Sequence, residues 1–246
     1  MTWKVAIVGA LLVCATGLAT IAAQEQRPAN VPFYTWVRED TFAGFMDDDM
    51  TRFERGVQRA EAYLEENPER ADAANWVGAT NVYRAVRAFR AGDNAAGEDL
   101  LRSAMTAMDQ AVSRAPNDVG IRATAGGTLV LFASQLPAEH HRAVMEKARE
   151  HYAALYRVQS PALAHLPLHI KGELLAGVAE TEFRVGDKDR AASVLNTIVK
   201  ELPGTAYART AETWLQAPDK VTRESRLACQ SCHEAGRLRS WQARQQ

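Results

Sequence analysis

Between residues 50 and 216 the apolar positions recur with heptad-like spacing through Ala-rich segments, and no alternating β-branched run is long enough to argue for a strand. This pattern predicts helices throughout. A repeat sharpens it: Phe89-Arg90-Ala91-Gly92-Asp93 lies over Phe183-Arg184-Val185-Gly186-Asp187 at an offset of 94 residues. In each copy the glycine is expected to close one helix in the left-handed conformation, and the aspartate to cap the next helix through its carboxylate. A second mark recurs at helix ends. An apolar residue lies five positions before Pro at Tyr63 and Pro68, Ala111 and Pro116, and Ile198 and Pro203; Pro68 and Pro116 are 48 apart, about half the longer offset. The predicted unit is a helical hairpin, with four irregular pairs expected over residues 50–91, 94–135, 138–184 and 187–216.

The beginning of the chain has a different texture. Lys4 precedes Val5 to Ala23, nineteen residues without a charge, which close on Ala22-Ala23-Gln24. This is the layout of an export signal, and its length also suits an uncleaved membrane anchor, so residues 1–23 are expected to be one or the other. Cys14 lies inside this run after Leu11-Leu12-Val13, with no small residue before it to favour acylation, and reads as an apolar residue of the segment. Residues 24–49 form an aromatic lead-in carrying Phe33, Tyr34, Trp36 and Phe42, expected to cap the first helix pair or to lie at a membrane interface. The helical region proper is expected over 50–216, followed by a tail at 217–246.

Composition describes an ordinary globular protein: 246 residues, 47% hydrophobic, fifteen Gly and nine Pro. Without Lys4, 28 basic residues face 30 acidic ones, so nucleic acid is not an expected partner. The charge is uneven. From Lys220 to the end six basic residues face two acidic ones, a net of +4, which leaves −6 for residues 24–219. A docking surface for an acidic redox partner and pairing of arginines with haem propionates both account for a basic tail.

The tail carries the most chemical information in the chain, the run Cys229-Gln-Ser-Cys232-His233. On a helix Cys229, Cys232 and His233 fall at i, i+3 and i+4, so two thioethers could grip a porphyrin edge while the imidazole meets the iron. The spacing is that of c-type haem attachment. A structural zinc site would need a second ligand cluster, and a thioredoxin-like redox pair a strand-to-helix junction; neither context is found around these residues. A surface disulfide is the remaining plain alternative. The expected cofactor is one covalent haem c on Cys229 and Cys232, with His233 as the metal ligand.

The hairpin unit, its small residues at helix contacts and its closing prolines resemble the tetratricopeptide-repeat superfamily. The expected pairs are longer than that family's unit of about 34 residues and lack its full Trp-Leu-Gly-Tyr pattern. Gly172-Glu173-Leu174-Leu175-Ala176-Gly177-Val178-Ala179, followed by Leu202-Pro203-Gly204-Thr205-Ala206-Tyr207-Ala208, is similar to exported bacterial repeat proteins that also end in Cys-x-x-Cys-His. Cys232-His233-Glu234-Ala235, with Arg237 beyond, is similar to the haem tail of class II cytochromes c, whose four-helix length covers half this chain. These resemblances imply an all-α, right-handed solenoid of antiparallel helix pairs carrying a C-terminal haem.

Only thirteen residues follow His233 and none is Met or His, so a second axial ligand must come from the helices or a partner, or be absent. The donors available are Met46, Met50, Met105, Met108 and Met145, with His140, His141, His151, His165 and His169. The methionines read as packing residues, and His140-His141 after Pro137 as an exposed first helical turn. His165 and His169 are four apart, but Pro167 between them places a helix start there. The iron is therefore expected to have an open or weakly ligated sixth position in the isolated protein. Asp47-Asp48-Asp49 is expected to serve the positive end of the first repeat helix rather than a cation. No Ser-His-Asp order, Walker sequence or Gly-rich nucleotide loop appears, which gives no support for an enzyme. The expected function is an exported, periplasmic electron carrier or electron-transfer subunit docking to a redox partner protein or membrane complex, with membrane contact through residues 5–23. The alternative is an interaction scaffold in which the haem is secondary.

Overall fold

The computed structural model describes residues 31–228, and the described residues form nine α-helices, two short 3-10 turns and no strand. The helices are α1 (Phe33–Asp47), α2 (Met50–Glu66), α3 (Ala71–Arg90), α4 (Asn94–Arg114), α5 (Val119–Ala133), α6 (Ala138–Gln159), α7 (Leu168–Val185), α8 (Lys188–Glu201) and α9 (Ala206–Gln216). The chain is all-α. No helix among the described residues is long and apolar enough to cross a membrane, and residues 5–23 lie outside them.

The glycine–aspartate echo sits where it was expected. Gly92 has φ 81° and Gly186 φ 101°, and Asp93 and Asp187 cap α4 and α8 by accepting from the N–H groups of Ala96 and Arg190 at 3.1 and 3.0 Å. Each aspartate N–H also donates back across the turn, to Ala88 O and Glu182 O, both at 3.0 Å. A third copy escaped the sequence echo because its left-handed residue is Asp48, φ 54°, rather than glycine. Asp49 then caps α2, accepting from Arg52 N at 3.1 Å, which gives the acidic triplet a capping role. Helices α2, α4 and α8 each stop two residues before their prolines. Gly186→Val should lower the unfolding free energy by about 1 kcal/mol or more, since a β-branched residue is strained at that φ. A urea midpoint equal to wild type would count against this.

The pairing differs in phase from the sequence expectation. The closest antiparallel partners are α1–α2, α3–α4, α5–α6 and α7–α8, one helix earlier than the pairs expected, with α9 packed on α8. The cause is the lead-in. Residues 33–47 form a helix in their own right, and Asp40, on its inner face, receives Arg52 Nε at 2.8 Å, Arg55 Nε at 2.7 Å and Arg59 Nη1 at 2.7 Å from α2. Burial pushes this carboxyl up, but the arginine hydrogen bonds outweigh it and hold the group below the ordinary carboxylate range. Phe33 stacks on Tyr63 at 4.5 Å between ring centres, so part of the aromatic segment packs against the first helices.

Across the pairs α1, α3, α5 and α7 lie side by side, each odd helix touching the next. Close approach is made possible by missing side chains. Gly78 of α3 faces Ala104 and Met108 of α4, and the Tyr152 ring of α6 lies over both Gly126 of α5 and Gly177 of α7, where a Cβ would overlap it at Gly177 and crowd it at Gly126. One main apolar core runs from Phe33 to Ala228.

Candidate functional site

The last described residues approach the motif through a built anchorage. Leu227 and Ala228, directly before Cys229, are 0% and 1% exposed, unusual for a chain leaving a domain. Both N–H groups donate to Glu180 Oε2 of α7, at 2.8 and 3.0 Å. Glu180 is itself buried, at 3% exposure, in the middle of α7, one turn before Arg184. Burial pushes its carboxyl up, opposed in part by the two backbone donors and by Arg184 and Arg226.

One turn on, Arg184 donates to Thr222 O at 2.7 Å and to Ser225 O, while its guanidinium lies 5.3 Å from the centre of the Trp214 ring. Arg223 reaches back, donating to Ala133 O at 3.3 Å and to Leu136 O at the α5–α6 connection. The sequence echo contains a parallel to this latch. Arg90, the residue equivalent to Arg184, donates to Gln135 Oε1 at 2.7 Å in that same connection. Each arginine reaches past the next odd helix to the chain that follows it, so residues 222–225 stand in the second half as the α5–α6 connection stands in the first.

The histidines and methionines weighed from sequence separate clearly. Met46, Met108 and Met145 are buried packing residues, and Met50 and Met105 are half-buried against the core. His151 is 2% exposed, and neither ring nitrogen has a hydrogen-bond partner among the described residues. His165 ends a 3-10 turn while His169 opens α7 with Nδ1 3.4 Å from Tyr207 Oη, so the two do not share one helical face. His140 Nε2 lies 2.9 Å from Glu98 Oε1, with its ring 5.3 Å from that of Phe89. His141 is half-buried and is held below the ordinary histidine value, by burial first and by the Arg223 and Arg184 charges second.

Cys229, Cys232 and His233, expected to hold haem c, lie outside the described residues. The chain that leads to them is buried and hydrogen-bonded as far as Ala228. The sequence reasoning missed Glu180, Arg184 and Arg223. The signal available was Glu180 itself, the acid that directly follows the apolar run from Leu174 to Ala179, with Arg184 four residues on.

A second feature lies along the odd helices, a groove of about 700 Å³. Phe45 of α1, Trp76 of α3 and Phe132 of α5 line it, and Tyr34, Val119 and Ile170 stand at its edge 52%, 39% and 43% exposed. Asn75 also lines it; its Nδ2 donates to Ile121 O at 3.3 Å and its Oδ1 has no partner among the described residues.

Comparison of the chain with protein-family models, with curated proteins and with solved structures finds no match in any of the three.

Proposed function

We propose that this protein is an exported c-type cytochrome-like electron carrier or electron-transfer subunit, its helix pairs stacked as a right-handed, tetratricopeptide-like solenoid that presents one haem to a redox partner. The observation that carries this reading is the junction at Ala228: Cys229-Gln-Ser-Cys232-His233 begins one residue beyond a backbone held by a buried glutamate. A simple disordered tail has no need of such an anchorage, whereas a redox group must be presented at a fixed distance from its partner. Cys229 and Cys232 would form the thioethers and His233 would ligate the iron, which supplies a one-electron couple when bound. Glu180, Arg184 and Arg223 fix the stalk. The net +4 of residues 220–246 favours an acidic docking surface on the partner, and the uncharged run of residues 5–23 supports export to the periplasm, free or anchored.

The test is direct. Produced with the haem-maturation machinery, the full chain should exceed its polypeptide mass by one haem, keep the pigment in denaturant and cycle reversibly between two spectra. Cys229→Ala with Cys232→Ala should abolish the bound pigment. An apoprotein mass from the wild-type chain would sink the proposal. The apolar groove favours a second reading, an interaction scaffold for a peptide or protein. Under it the haemless double variant retains its biological role, and under the first it loses it.

A further inference from the structure

We infer that the groove along the odd helices is a binding site for a small, neutral, ring-bearing molecule that carries an O–H or N–H donor. Such a site is independent of the haem reading and stands against the peptide or protein occupant of the scaffold reading. A space of about 700 Å³ lies within the roughly 300–1,000 Å³ typical of small-molecule sites. Its floor is aromatic. Phe42 and Phe45 of α1, Trp76 and Tyr83 of α3 and Phe132 of α5 form a connected set, with ring centres 4.9 to 6.3 Å apart and planes tilted or edge-on to one another. A further ring can join such a set edge-to-face or offset.

The wall selects against charge. Among the described residues, each charged side chain and the one histidine that line the groove already have partners: Arg38 donates to Glu39 at 2.7 Å, Asp72 accepts from Arg70 at 2.6 Å, and Asp118 caps α5 through the N–H groups of Gly120 and Ile121. Glu173 accepts from the Tyr207 hydroxyl at 2.6 Å, and His169 lies 3.4 Å from that same oxygen. A charged ligand would lose water against this wall with no counter-charge waiting for it, so a neutral one is favoured. An extended peptide is ill served for a related reason. It brings one main-chain acceptor per residue and a donor at each but proline, whereas the wall is built from helices that keep their main-chain groups for themselves. Thr41 and Thr80 likewise bond carbonyls of their own helices, at 3.0 and 2.9 Å.

One polar atom is left open. Asn75 stands in the wall at 1% exposure, its Nδ2 donates to Ile121 O at 3.3 Å, and its Oδ1 has no partner among the described residues. A buried acceptor without a donor is costly, and the groove is the open space from which a ligand's O–H or N–H can supply one. The donor end of the molecule then lies at Asn75 and its rings over the aromatic floor.

Four biphenyls that differ only in the para substituent test ring, charge and donor on the full chain by calorimetry: the hydroxyl, methyl, carboxylate and aminomethyl compounds. The hydroxyl compound should bind saturably and roughly fivefold tighter than the methyl compound, although a purely apolar groove prefers the methyl one. The carboxylate and the ammonium should bind about tenfold or more weakly than the hydroxyl compound. Asn75→Leu should reverse the order of the two neutral compounds. Thr128→Trp, at a half-buried position of the wall, should abolish binding of both with helicity unchanged. Cys229→Ala with Cys232→Ala should bind as wild type does, which separates this outcome from that of the haem reading. A wild-type preference for the methyl compound, or charged compounds bound as tightly as the hydroxyl one, overturns the proposal; so does an order unchanged in Asn75→Leu or binding that survives Thr128→Trp. A wild-type chain that binds none of the four overturns it as well and leaves the groove to a peptide or protein.

Discussion

Glu180→Ala is expected to lower the unfolding free energy by about 3 kcal/mol and to free residues 221–228 from the helices, because two buried N–H groups lose their acceptor at once. The geometry makes the effect local and large. Leu227 N and Ala228 N both donate to the one oxygen, Oε2, and both residues are essentially inaccessible to water that could replace it. Arg184 would also lose the carboxyl 3.9 Å away. Glu180→Gln keeps an acceptor oxygen at the same place and should cost about 1 kcal/mol, the difference between a strong and an ordinary hydrogen bond. Two measurements check this together: urea unfolding for the energy, and trypsin cleavage after Arg223 and Arg226 for release of the segment. Equal stability and equal cleavage in wild type and Glu180→Ala would show that the clamp does no holding. The carboxyl also has a pH signature. Since its value is raised in the folded state, its contribution is full below the ordinary glutamate value of 4.5 and is lost as pH rises through the folded value. Glu180→Gln should remove that slope.

Acidification from pH 7 to pH 4 is expected to cost up to about 3 kcal/mol of stability through His151 alone. Burial pushes this imidazole from 6.5 down to about 4. Lys147 of α6 and Arg122 of α5 add to the effect, while Asp109 of α4 and Glu150 of α6 oppose it. Between those two values the unfolded chain binds a proton that the folded chain refuses. Stability from this residue is therefore full above about pH 6.5 and declines as pH falls toward 4. His151→Leu should flatten that part of the curve and should be no less stable than wild type at neutral pH, since both ring nitrogens are buried without partners among the described residues. Unfolding free energies measured at several pH values decide it. Parallel curves for the two proteins over this window would reject the assignment.

The sequence by itself determined the secondary structure and much of the punctuation. Period and Ala content determined helices, and Gly92-Asp93 and Gly186-Asp187 specified both the turn and the cap after it, because only local backbone chemistry is involved. Pro68, Pro116 and Pro203 set helix ends for the same reason. The phase of the pairing was not legible. It depends on whether residues 33–47 join the stack, and that was decided by Asp40 meeting three arginines from 12 to 19 residues away, a contact with no local signature. The expectation of haem attachment at Cys229 rests on five residues, since thioether spacing is a local requirement. What holds the chain in front of it was decided by tertiary structure alone: Glu180 reads as an ordinary acid within a helix until folding carries Leu227 and Ala228 across 47 and 48 residues of chain to its carboxyl.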